Sequence, residues 1–229
     1  MSKALIEFSI HNGQQASREF ITVETTIIAG WTGRDPVALE KHIVELEELG
    51  VQRPASTPIY YRVANARLTT ATEIEVTGGD SSGEVEFALV RANGKLFVGI
   101  GSDHTDRKAE TFNVTVSKQM CEKPMAPELW AFDDVKDHWD QLVLRSWAVI
   151  GGERLLYQEG PVNSMLAPED VMRGYGPEGL PDNAVMFCGT LAARGGIRPA
   201  SRFEFEIEDP VLGRRIAHGY DVVELPVLG

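Results

Sequence analysis

The sequence predicts a mixed α+β, β-rich fold, and three observations carry that reading. Short runs of alternating or β-branched residues recur from Ile59 onward, separated by glycine-containing turns. Helical periodicity with matching end signals is confined to two places, the stretch from Asp35 to Gly50 and residues 167–174. Hydrophobic residues make up 43% of the 229 and charged residues 24%, ordinary globular usage that excludes a disordered or fibrous chain.

Residues 4–10 and 19–28 read as strands about the turn His11-Asn12-Gly13. Asp35 is an N-cap followed by a first-turn proline, Pro36, and Leu39, Ile43, Leu46 and Leu49 form an apolar stripe closed by Gly50. The opposite face, with Glu40, Glu45, Glu47 and Glu48, is solvated surface. A proline-containing connection from Arg53 to Pro58 ends a small α/β segment, 1–56, and opens a mostly-β part, 57–229. There the expected strands are 59–63, 73–76, 84–90, 95–100, 111–116, 141–150, 154–157, 184–188, 202–207 and 214–218. Gly78-Gly79-Asp80, Asn93-Gly94, Gly151-Gly152 and Gly195-Gly196 supply turns.

Charge and cysteine usage exclude several functions. A net charge of −12 disfavours nucleic acid, whose binders present a basic footprint, but allows a small anionic substrate where a local cation overrides the global field. Two cysteines without a CxxC spacing read as reduced thiols rather than a disulfide framework. The N-terminal residues lack the apolar segment of a signal peptide and no apolar run reaches membrane-spanning length, so a cytoplasmic protein is expected.

The chemistry gathers in three places. Glu84 and Glu86 stand at i and i+2 where an apolar strand begins, so both carboxylates share a face. Two adjacent carboxylates repel unless protons or a cation neutralise them, and hard divalent ions take such oxygen ligands. After strand 95–100 comes Gly101-Ser-Asp-His-Thr-Asp-Arg107, which offers Asp103 and Asp106 as ligands, His104 as base or ligand and Arg107 as a carboxylate clamp. Lys118 ends the next expected strand as either a surface charge or a stabiliser of negative charge. Gly189-Thr190 follows strand 184–188, where glycine admits a ligand to the backbone and threonine supplies donors. Arg34, in the loop before the first helix, can bind a carboxylate, and its neighbour Trp31 shares that loop.

Taken in order, these motifs resemble the fumarylacetoacetate hydrolase superfamily over residues 57 to 222. The resemblance rests on Glu84-Val-Glu-Phe-Ala88, the turn from Gly101 to Lys108, Ser117-Lys118, the run Gly152 to Met165 with Ala167-Pro-Glu, Asp182 to Thr190, and Ile197 to Glu208. The stretch Ser102-Asp-His104 to Lys118 is similar to the sugar-acid branch. The whole chain, with Ala29-Gly-Trp-Thr-Gly-Arg-Asp35, resembles short bacterial proteins of unknown function related to that superfamily.

The resemblance implies a fumarylacetoacetase catalytic-domain-like fold and a homodimer. It implies a metal triad of Glu84, Glu86 and Asp103 around Mg²⁺ or Mn²⁺, with Asp106 in reserve. Lys118 becomes the cation that stabilises an enolate, and Thr190, Gly189, Arg107, Arg34 and Gln158 line the substrate. The implied activity is hydrolysis of a C–C bond in a small oxo-acid. Sugar-acid dehydration, oxo-acid decarboxylation and a catalytically silent ligand-binding relative are the alternatives. One departure bears on mechanism: residues 57–83 hold no histidine, where hydrolases of this superfamily carry one to activate water. His104 is the substitute expected here.

Overall fold

A computed structural model describes residues 3–13, 15–48 and 53–228. Leu49 and Gly50 of the expected first helix lie outside them, as do the side chains of His42, Glu45, Leu46 and Glu48. In chain order the elements begin with β1 (Ala4–Asn12), β2 (Gln15–Val23), β3 (Thr25–Gly30), α1 (Pro36–Glu48), β4 (Ile59–Val63) and β5 (Leu68–Thr69). Then follow β6 (Glu73–Thr77), β7 (Ser81–Ser82), β8 (Val85–Ala92), β9 (Lys95–Ser102) and β10 (Thr105–Asp106). Helices α2 (Arg107–Phe112) and α3 (Val114–Met120) precede β11 (Lys123–Pro124), β12 (Glu128–Ala131), β13 (Val143–Ile150) and β14 (Glu153–Pro161). The chain closes with α4 (Pro168–Tyr175), β15 (Ala184–Thr190), β16 (Arg202–Asp209) and β17 (Arg214–Leu225).

Two main sheets carry the fold. An eight-stranded sheet runs β2-β1-β12-β9-β8-β15-β3-β4, and a five-stranded sheet runs β14-β13-β16-β17-β6. Strands from residues 1–56 and from 57–229 therefore share the larger sheet. Between the sheets, Phe87, Leu89, Ile100 and Met186 pack with Leu144, Phe203, Phe205, Ile207 and Tyr220. On the other face of the larger sheet, Ala88, Val90, Val185 and Phe187 join Ile6, Phe8 and Ile10 in a second cluster. Successive residues of β8 thus enter different cores, which is why the strand reads as an unbroken apolar run rather than an alternation.

Most strands fall where the alternation placed them, and α4 (Pro168–Tyr175) lies one residue on from the expected 167–174. Asp35 does cap α1: its Oδ1 accepts from Val37 N at 2.8 Å and Ala38 N at 3.2 Å. Three corrections matter. The run 19–28 is two strands, because β2 pairs with β1 at the sheet edge whereas β3 pairs with β15 and β4. The expected strand 111–116 is helical. Asp106 Oδ1 accepts from Ala109 N at 2.7 Å and Asn113 Oδ1 from Val116 N at 3.0 Å, so two consecutive N-caps override the β-branched preference of Val-Thr-Val. Strand β12 was not expected; four residues are too few to show a period, and its place between β1 and β9 is fixed by tertiary pairing. No helix among the described residues is long and apolar enough to cross a membrane.

Candidate metal centre and its surroundings

The acidic group forms where β8 and β9 meet at one end. Val85 pairs with Ser102, and the pairing extends one step further as Asp103 N donates to Glu84 O at 3.0 Å. Glu86 lies two residues along β8 on the face shared with Glu84. One ligand atom from each of Glu84, Glu86 and Asp103 lies within 4.8 Å of the others. Glu86 is 3% exposed and Asp103 is fully buried. Asp106 takes no part in this group, since its carboxylate caps α2.

Electrostatics distinguish the three. Burial, reinforced by the charges of Asp103 and Glu84, pushes the Glu86 carboxyl well above its ordinary range, against Lys118 and an amide hydrogen bond from Gly189 at 2.8 Å. Burial acts in the same direction on Asp103, but the ammonium groups of Lys118 and Lys123 overcome it and hold that carboxyl below its ordinary range. Lys118 donates to Asp103 Oδ2, and Lys123 Nζ lies 3.2 Å from Oδ1. Both lysines are buried, yet their shifts differ in sign. Burial works against a charged Lys118, but Asp103, Glu84 and Glu110 keep it protonated above the usual lysine range. For Lys123 burial prevails, aided by repulsion from Lys118, and its pKa falls.

The set of donors suits a hard divalent ion. Three carboxylates supply oxygen only, two are sealed from bulk water, and Glu86 carries the mark of uncompensated negative charge. Asp103 is engaged by both lysines and by Thr105 Oγ1 at 3.3 Å, and each carboxylate oxygen has two lone pairs, so coordination capacity remains. Mg²⁺ or Mn²⁺ fits such a set.

The other expected residues sort by what they touch. Arg107 bears on the triad from the side: its guanidinium lies 3.2 Å from Glu84 Oε2 and 2.9 Å from Glu110, and Nε donates to Ser82 Oγ at 2.7 Å. It clamps a protein carboxylate rather than presenting a free fork. Gly189 has φ +93°, and a Cβ there would sit 1.8 Å from Thr32 Oγ1, so only glycine brings this amide onto Glu86. Thr190 Oγ1 donates to Val85 O at 2.7 Å and accepts from Gln158 Nε2 at 2.8 Å. Gln158 also donates to Leu191 O and accepts from Val85 N and Ser146 Oγ. Through these bonds the two side chains tie Val85 of β8 to Ser146 and Leu191. Arg34 forms a bidentate pair with Asp140 at 2.9 Å and donates to Met165 O, tying the loop before α1 to the rest of the chain.

His104 has protein partners on both sides of its ring. Its Nδ1 is 2.8 Å from Tyr220 Oη and its Nε2 is 2.9 Å from Ser81 Oγ. Burial, with Lys123 and Arg107 nearby, lowers its pKa to about 3. Both ring nitrogens are engaged by protein hydroxyls, which brace the turn that carries Asp103. Two groups beside the triad were not anticipated in these roles. Lys123 carries no periodic signal and is identified only by where β11 places it. Tyr61 of β4 has its ring centroid 5.7 Å from Lys118 Nζ.

The family described as "Protein of unknown function (DUF2848)" matches residues 29–220. No curated protein matches. Several solved structures share the fold. Cg1458 with inhibitor is 18% identical, with a TM-score of 0.65 over 93% of this chain and 84% of that one. Yeast ynq8, a fumarylacetoacetate hydrolase family protein, is 16% identical, with a TM-score of 0.61 over 90% and 95% of the two chains. A 2-keto-3-deoxy-D-arabinonate dehydratase complexed with magnesium and 2,5-dioxopentanoate is 14% identical, with a TM-score of 0.60 over 93% and 79%.

Proposed function

The chain belongs to the DUF2848 family and has the fumarylacetoacetate hydrolase fold, and from that premise we propose that it is a divalent-metal-dependent enzyme that converts a small oxo- or hydroxy-carboxylic acid through an enolate. The observation that carries this reading is the convergence of Glu84, Glu86 and Asp103 within 4.8 Å. A magnesium-bound dehydratase of the same fold supports it. C–C bond hydrolysis of an acylpyruvate-like substrate is the reaction we favour, with dehydration of a sugar acid or decarboxylation as sister reactions through the same enolate.

When bound, Mg²⁺ or Mn²⁺ supplies a Lewis acid that polarises the carbonyl of a chelating oxo-acid. The chain's own residues do the rest. Glu84, Glu86 and Asp103 hold the ion, with Gly189 N fixing the Glu86 carboxylate and Arg107 fixing that of Glu84. Lys118, held protonated, places a fixed positive charge beside the triad, where negative charge develops on the substrate. Lys123 fixes the second oxygen of Asp103 from the interior.

Thermal melts with Mg²⁺ or Mn²⁺, then with oxalate added as an enolate mimic, test the reading. The expected result is a rise with the ion and a further rise with oxalate. No shift with either ion, or an equal shift in Glu86→Gln, overturns it.

A further inference from the structure

The orientation of Glu86 rests on a backbone amide: Gly189 N donates to its Oε2 at 2.8 Å. That amide lies at an irregular point of β15. Phe187 faces Ala88 and Thr190 faces Glu86, so Cys188 and Gly189 together stand opposite Phe87, as in a β-bulge, which re-aims groups near functional sites. Gly189 has φ +93°, and a glycine turns about that angle more freely than any other residue. The strand alone therefore does not fix the plane of the peptide before it. A contact from another part of the chain does: Thr32 Oγ1 donates to Cys188 O at 2.9 Å. Cys188 O and Gly189 N belong to one trans peptide, whose carbonyl and N–H point to opposite sides. Thr32 and Glu86 thus grip the two ends of a single peptide unit, and the bond at the carbonyl polarises that unit and strengthens its N–H as a donor. Thr32 is itself fixed. It is buried, Leu166 N donates to its carbonyl at 2.8 Å, Gly33 bridges Met165, and Arg34 N donates to Ser164 O at 3.0 Å. The fit is close, since a Cβ on Gly189 would lie 1.8 Å from Thr32 Oγ1 and 3.4 Å from Met165 Cγ.

We propose that Thr32 is a positioning residue for the candidate metal centre: by holding the Cys188–Gly189 peptide, it sets the direction in which the Glu86 carboxylate meets an ion. This rests on the function proposed above. Thr32 is not a ligand and acts through that peptide. Hydrogen bonds that orient a ligating group from outside the ligand set are worth about ten- to a hundredfold in metal affinity. Threonine suits the task because its hydroxyl supplies the one donor the carbonyl takes and its branched Cβ limits the side chain's rotamers. Valine has a similar shape without the donor. The loop before α1 thereby reaches the ion through one peptide rather than through a ligand of its own.

The test uses the full chain with Mn²⁺ as the probe. Electron paramagnetic resonance of the free ion gives its affinity, and amide hydrogen exchange by NMR on the metal-free protein reads the Gly189 N–H. Wild type should bind Mn²⁺. Thr32→Val should weaken that binding by about tenfold or more, and the Gly189 amide should exchange faster while that of Met186, paired further back along β15, keeps its protection. Thr32→Ser, which keeps the donor, should restore affinity to within about threefold of wild type. If Thr32→Val does not fold, the same two measurements on Thr32→Ala decide. Affinity in the donor-less variant within about threefold of wild type overturns the assignment. A Thr32→Ser protein that binds as weakly as Thr32→Val also overturns it, as does a loss of protection shared equally by Met186 and Gly189, which marks a merely structural role. In each of these cases the metal reading is left standing. Wild type that does not bind Mn²⁺ overturns both.

Discussion

Lys118 and Lys123 reach the same carboxylate from different sides, and the contrast sets what each contributes. Lys123 is fully buried, with His104 O and Asp103 as its partners. Removing one partner of a buried pair costs about 3–5 kcal/mol, because the other charge stays behind. Lys123→Met should lower the urea-derived stability by about that much. Lys118 is 7% exposed and also paired, so Lys118→Met costs stability too, contrary to the small effect expected of a surface-like lysine. Its larger effect belongs to chemistry, with turnover falling about 10²–10³-fold while the protein still folds. His104 offers a pH signature. Its folded pKa of about 3 lies below the ordinary 6.5, so the unfolded state binds more protons between those values. Its contribution therefore disfavours folding increasingly as pH falls from 6.5 toward 3, by about 1.4 kcal/mol per pH unit. In urea titrations at several pH values, His104→Gln should show a shallower loss of stability over that window than wild type. Equal slopes would mean that the ring is not held neutral.

Among the elements, α2 and α3 decide where Lys118 points. Each is only one to two turns long, so propensity alone cannot sustain it, and the caps Asp106 and Asn113 count for much. Asn113→Ala should cost about 1 kcal/mol by denaturation. Loss of the cap should also loosen the last turn that carries Lys118 and reduce the oxalate-induced melting shift; full retention of that shift would detach the helix from the site. The turn after Phe187 works in the opposite sense, as a rigid support. There the register of β15 against β8 shifts, and Gly189 turns its amide toward Glu86.

For the molecule as a whole, the acidic centre joins strand ends to a helix and a buried lysine, so ion binding should register in global stability. A ligand at 100 times its Kd stabilises by about 2.7 kcal/mol. Glu86→Gln should remove the ion-induced melting shift yet leave the metal-free protein at least as stable as wild type, since one crowded negative charge is gone. A mutant that is destabilised without metal would indicate that Glu86 supports the fold in its own right. The same geometry offsets the strongly acidic global charge at this one place: Arg107, Lys118 and Lys123 converge where Glu84, Glu86 and Asp103 do.

Local patterns determined much of this unaided. The i, i+2 spacing of Glu84 and Glu86 on a strand, the Asp35-Pro36 start of α1, and the apolar run of β8 are consequences of backbone period and capping, which neighbours in sequence decide. The superfamily was legible because its motifs recur in order along the chain. Pairing and burial decided what those patterns could not. Asp103 rather than Asp106 joins the triad because one carboxylate extends the β8–β9 ladder and the other caps a helix. His104 is tied into the fold because Ser81 and Tyr220, 23 and 116 residues away, take its two nitrogens. Thr190 and Gln158 have the chemistry of substrate donors, but their donor hydrogens go to Val85 O, to Leu191 O and to Thr190 Oγ1. Tyr61 and Lys123 enter only because β4 and β11 bring them beside α3 and Asp103. A side chain's type limits what it can do, whereas the partners that fill its hydrogen bonds and exclude its water determine what it does, and those partners are distant in sequence.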